Sequence, residues 1–130
     1  MALEDDLQRA AAAASAFAAP DERVAAVLAA EPSDGARVYI CSFESAGERA
    51  WLALDGNGEP LTSRSLVREA VSLVALCEIA EEAAGIEVAL PRLASVAYLE
   101  ALGTPELAAS MQAVDALLHD VESAYKQELR

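Results

Sequence analysis

Glu78, Glu81 and Glu82 stand three and four residues apart in a stretch that reads as helix, which sets all three carboxylates on one side of it. Carboxylates so spaced are hard oxygen ligands for a cation such as magnesium, and a cation held there would activate a water for hydrolysis. The chain has one histidine, His119, a side chain able to act as a ligand or as an acid–base group near neutral pH. Glu78, Glu81, Glu82 and His119 are therefore the candidate metal set. They imply a small-molecule-binding or metal-assisted hydrolase domain using the carboxylates of the central helix. The competing reading is a solvated acidic helix end, since like charges on an exposed helix face cost only about 0.2–0.5 kcal/mol per pair.

The remaining chemistry-bearing residues are thinly spread. Glu78 and Glu81 form one Glu-x-x-Glu, which resembles the magnesium-binding pair of all-α nucleotide pyrophosphohydrolases. The second acidic pair of that family, at Glu-x-x-Asp spacing on a following helix, is missing, so the chain is not assigned to it. Cys41 and Cys77 lack Cys-x-x-Cys spacing and sit in apolar patterns, and they read as small buried thiols of a reducing compartment. A thiol triad would need one of them beside His119 with Asp115 or Asp120, and nothing in the spacing favours that. A single histidine excludes the paired Glu-x-x-His motifs of di-iron bundles. Gly56-Asn57-Gly58 precedes a helix, but it lacks a P-loop lysine and is flanked by Asp55 and Glu59, so it makes a poor phosphate cradle. No Gly-x-Ser-x-Gly, His-Glu-x-x-His or zinc-type cysteine pairing is present. The chain is expected to be non-enzymatic, and no cofactor is expected.

The element that must position the three glutamates is a helix over 64–84. Leu66, Ala70, Leu73, Cys77, Ala80 and Ala84 form its main apolar stripe, while Val67, Val71, Val74, Leu76 and Ile79 lie outside that stripe. A helix apolar on so many sides must be central and covered from several directions. Thr62, Ser63 or Ser65 can cap its start and Gly85 its end.

Residues 37–55 change character. RVYICSFE and ERAWLALD are rich in β-branched and aromatic residues, and they read as a β-hairpin joined through a Ser45–Gly47 loop. That register opposes Val38 to Leu54, Cys41 to Trp51 and Phe43 to Arg49. It gathers Tyr39, Phe43, Arg49 and Trp51 on one face, residue types that anchor protein interfaces, and these four are the candidate interaction surface. A slip of one residue would redistribute them.

Around these two elements the spacing predicts helices over 3–19 and 21–31 before the hairpin, and over 91–102 and 105–128 after the central helix. Pro20-Asp21-Glu22 and Thr104-Pro105-Glu106 serve as helix starts. A chain of 130 residues is one domain, 1–130. The expected fold is α+β, predominantly α-helical, a helical bundle around a central helix with one β-hairpin. The net charge of −13 opposes binding to nucleic acid or to an anionic membrane surface. The acidic start MALEDDLQRA is unlike a signal peptide, and no uncharged apolar run reaches the ~18 residues of a membrane span. The expectation is a cytoplasmic protein–protein interaction or assembly module of adaptor or chaperone character. Its partner is a protein or a second copy of itself, and a homodimer is expected.

Overall fold

The computed structural model describes residues 3–32, 36–86, 92–103 and 107–130, with the backbone alone for 107–109. A four-stranded sheet runs through its centre in the order β3-β2-β1-β4, built from β1 (Arg23–Glu31), β2 (Val38–Ser45), β3 (Glu48–Leu54) and β4 (Leu93–Ser95). β1, β2 and β3 are antiparallel to one another, and β4 joins β1 in parallel. Helix α1 (Leu3–Ser15) covers one face of the sheet. α2 (Arg64–Ala83) and α4 (Leu107–Ser123) cover the other, with α3 (Val96–Leu102) beside α2. The expected helical bundle with a single hairpin is therefore corrected to an α+β fold around a mixed sheet.

The largest correction is β1. The helix expected over 21–31 is a strand, and a β-bulge explains the misleading periodicity. Val24 faces Phe43 and Ala26 faces Ser42, so Ala25 is an extra residue in the ladder. The insertion places Val24 and Val27 on the same face, toward α1, and turns Leu28 to the opposite one. Apolar residues three and four apart, which imitate a helix face, are here the signature of a bulged strand. Pairing with β2, and with β4 at Ala29–Glu31, overrides the helical propensity of the alanines.

Three further helices are shorter than expected, the first ending at Ser15 instead of 19. The segment expected as helix 91–102 begins as β4, and helix starts only at Val96, where the Ser95 hydroxyl accepts the Tyr98 N–H at 3.1 Å. The last helix ends at Ser123 instead of 128, because Ala124–Lys126 turns onto the edge of β3. There the Trp51 N–H donates to the Ala124 carbonyl at 3.0 Å, and the Lys126 N–H donates to the Trp51 carbonyl at 2.9 Å. The Tyr125 hydroxyl donates to the Leu61 carbonyl at 2.7 Å and accepts the Ala53 N–H at 3.1 Å. The outer edge of β3 is thus paired rather than left as a template for aggregation. The helix starts expected at Pro91 and at Thr104-Pro105-Glu106 lie outside the described residues.

The hairpin is present with its register moved by one residue. Cys41 faces Leu52, Ser42 faces Trp51 and Phe43 faces Ala50. The connection is the two-residue turn Ala46-Gly47, with φ of 36° and 88°, both values of the left-handed kind a tight hairpin needs.

The sheet separates two apolar layers. Toward α2 and α4, Ala30, Val38, Ile40, Trp51 and Ala53 pack on Val67, Ala70, Val71, Val74, Leu118 and Val121. Toward α1, Cys41, Phe43, Leu52 and Leu54 pack on Ala14, and Ala29 and Tyr39 pack on Ala10. Small alanines on α1 bring that helix close to the strands. The breadth of the apolar surface on α2 has its cause here, since the sheet, α3 and α4 all pack against it. The Ser63 side chain caps its start by accepting the Leu66 N–H.

Candidate binding cleft

On the α2/α4 side the strands present their side chains in rows. Arg23, Glu44 and Arg49 form a cross-strand row at the hairpin end, followed by Ala26, Ser42 and Trp51, then by Leu28, Ile40 and Ala53. α2 and α4 close over the inner rows and over Ser42 and Trp51, but leave Arg23, Ala26 and Arg49 open to water. The gap is a cavity of about 450 Å³, with Ala26, Leu28, Ile40, Ser42 and Trp51 at its floor and Val71, Val74, Leu117 and Val121 on its walls. Its volume is that of sites which take a small molecule or an anchoring side chain.

The mouth is charged. Glu44 bridges two arginines, with Arg23 Nη2 at 2.9 Å and Arg49 Nη2 at 3.0 Å. Arg49 also lies over the Trp51 ring, 5.8 Å from its centroid. The arginines stay largely in water at 73% and 57% exposure, so the bridge sets their geometry more than it stabilises the fold. Glu78 stands on the α2 rim, and Asp21 and Glu48 lie in the surface groove that continues outward past Arg23, Glu44 and Arg49. An apolar interior behind a rim of two arginines and two glutamates is an arrangement for binding.

Of the four aromatic-face candidates, Arg49 and Trp51 line this cleft, and Trp51 is only 7% exposed. Tyr39 and Phe43 point the other way and are buried on the α1 side of the sheet. The register difference separates them: Phe43 pairs with Ala50, and Arg49 pairs with Glu44.

The carboxylates of α2 are likewise divided. Glu81 is 6% exposed, lies 2.5 Å from Arg92 Nε and accepts the Tyr98 hydroxyl at 2.6 Å. The Arg92 N–H does not point at the carboxylate oxygen, so that contact is an ion pair without a directed hydrogen bond. Glu78 is half exposed, 3.7 Å from Arg92 Nη2, and Glu82 is exposed. Tyr98 is held above its ordinary pKa, first by the hydrogen bond to Glu81 and then by burial. His119 is exposed on α4 among Arg64, Arg68, Asp115 and Glu122, near the opposite end of α2. The candidate metal set is therefore not brought together, and among the described residues no three His, Cys, Asp or Glu side chains are grouped as ligands.

Cys41 and Cys77 are buried free thiols, and burial pushes Cys41 up to about 12 and raises Cys77 as well. Neither faces His119. Sequence reasoning missed Arg23 and Glu44 as cleft residues because their row exists only once β1 is a strand. It missed Arg92 and Tyr98 because they meet Glu81 only across α2, β4 and α3. No protein-family model, no curated protein and no solved structure matches the chain.

Proposed function

We propose that this chain is a non-enzymatic protein-interaction or assembly module of adaptor or chaperone character, which meets a protein partner or a second copy of itself at the cleft beside β1. One observation carries this reading. The cleft is a largely apolar cavity of about 450 Å³ that holds Trp51 in its floor and has the exposed arginines Arg23 and Arg49 at its mouth. An apolar cavity with an arginine and tryptophan at its opening suits an anchoring side chain of another polypeptide. The proposed compartment is the cytoplasm, supported by the two unpaired thiols. Among the described residues no helix is long and apolar enough to cross a membrane.

The test is affinity capture from the source cells with the wild-type chain and with Ala26→Glu, a substitution at an exposed cleft position, alongside sedimentation velocity of both proteins. A partner or dimer present with the wild type and lost in a variant of unchanged melting temperature supports the reading. A concentration-independent monomer that retains no protein, or a partner indifferent to the substitution, sinks it.

A further inference from the structure

We propose that the cavity between the sheet, α2 and α4 binds a small carboxylic acid, with its carboxylate on Arg23 and Arg49 and its apolar body, carrying one hydroxyl or carbonyl partway along, in the interior. The proposal goes beyond the interaction-module reading and stands without it. The acid takes the space that a partner's anchoring side chain needs, so the two compete for one site.

The interior supplies the first argument. Leu28, Ile40, Trp51, Val71, Val74 and Val121 surround a space of about 450 Å³, within the range of small-molecule sites, and every lining residue is among the described ones. Protein cores leave few voids larger than a water molecule, so a space of this size against a buried tryptophan is one that an apolar body fills favourably.

The mouth supplies the second. Glu44 gives one carboxylate oxygen to Arg23 Nη2 and the other to Arg49 Nη2. That sharing holds two guanidinium groups side by side, and the three side chains together keep one positive charge in excess. A guanidinium carries five N–H donors in a planar fork, so donors remain for a second carboxylate. Glu78, the other acid of the rim, stands 3.7 Å from Arg92 Nη2, which offsets its charge. Asp21 and Glu48 line the groove outside and not the cavity. At 0.1 M salt, exposed charges more than about 10 Å apart are largely screened, so the arginines and not the net charge of −13 set the sign at the opening.

Ser42 supplies the third. It is 5% exposed, lies on the cavity floor between Ala26 and Trp51, and its hydroxyl has no hydrogen-bond partner among the described residues. A hydroxyl taken out of water without a partner is costly, and a ligand oxygen beside it removes that cost. The arginine pair and Ser42 are thus two fixed polar points on an otherwise apolar wall. A ligand that meets both is held in one orientation.

The experiment titrates the full chain with decanoate, following the emission of Trp51, the chain's one tryptophan, and the heat of binding. The proposal expects a saturable change, with decanoate at least tenfold tighter than decan-1-ol and decyltrimethylammonium, which share its body and lack its negative head. In the double variant Arg23→Gln/Arg49→Gln, checked for an unchanged melting temperature, that preference is expected to disappear while decan-1-ol still binds. The best of the positional hydroxydecanoates is expected to bind at least threefold tighter than decanoate, and Ser42→Ala to abolish the gain. No saturable binding of decanoate, equal binding of the three amphiphiles, or a preference that survives in the double variant overturns the proposal. A hydroxydecanoate series without a better member, or a gain that persists in Ser42→Ala, overturns the interior contact. A peptide ending in leucine with a free α-carboxylate that binds at least tenfold tighter than every acid of the series assigns the same chemistry to the end of a polypeptide and overturns the small-molecule source.

Discussion

Glu81 is a carboxylate taken almost wholly out of water, and Arg92 with the Tyr98 hydroxyl is what makes that tolerable. Removing one member of a buried pair leaves the other charge uncompensated. Glu81→Ala is therefore expected to lower unfolding free energy by about 3–5 kcal/mol in urea titrations. Tyr98→Phe, which deletes one hydrogen bond to a charged acceptor and keeps the ion pair, is expected to cost about 1.5–3 kcal/mol. If Glu81→Ala matches the wild type, the pair holds nothing together. The buried thiol of Cys41 predicts an alkaline effect. Its value rises from 9.0 to about 12 on folding, so its stabilising contribution is full below pH 9 and is lost as pH climbs from 9 toward 12. Unfolding free energy should fall less steeply over that window in Cys41→Ala than in the wild type; equal slopes would contradict the burial. From sequence alone the glutamates could be seen to share a side of a helix. That one would be buried under an arginine was invisible, because Arg92 is supplied by a segment brought in through β4.

At the scale of elements, helix α2 was legible almost to the residue. Its apolar pattern repeats over many turns, and its cap, Ser63, is local. The hairpin was legible as an element but not in register, since two loop lengths fit the same sequence and differ by one residue. Ala46 shows the difficulty: it takes φ of 36° where asparagine or glycine would normally announce a two-residue turn. Ala46→Asn is accordingly expected to stabilise the protein by about 0.5–1 kcal/mol. An unchanged or lower melting temperature would show that the alanine is not strained there. β1 was missed because a bulge gave a strand the spacing of a helix, and no signal within nine residues distinguishes the two. β4 is only three residues long and owes its existence to β1. Tyr125 is the fastener of the last segment on β3. Tyr125→Phe is expected to cost about 1–2 kcal/mol and to speed amide exchange at Trp51 and Ala53; protection left intact at those amides would assign the edge to the backbone pairs alone.

For the molecule as a whole, the acidic composition was legible at once but the cleft was not, because it needs three strands and two helices to be placed correctly. Acid is expected to loosen the contacts that join the ends of the chain to its middle. Arg68 first, and Arg64 with it, hold the Glu122 carboxyl below its ordinary value of 4.5, tying α4 to α2. The Ala19 N–H and Lys126 do the same for Glu22, tying the α1–β1 loop to the final segment. A carboxylate lowered by folding stabilises the native state above its unfolded value. That contribution drains away as pH falls from 4.5 through the lower folded value. Between pH 5 and pH 3, roughly the ordinary carboxylate range, thermal stability should drop more steeply for the wild type than for Glu122→Gln. Parallel curves would remove the pair from the account. The pairing of Ala124–Lys126 with β3 also has a bearing on synthesis. The strand it covers is complete some seventy positions earlier, so on a ribosome the nascent sheet stands with that side bare until residues 124–126 have emerged. During that interval the chain itself is a client for whatever shields exposed strands in the cell.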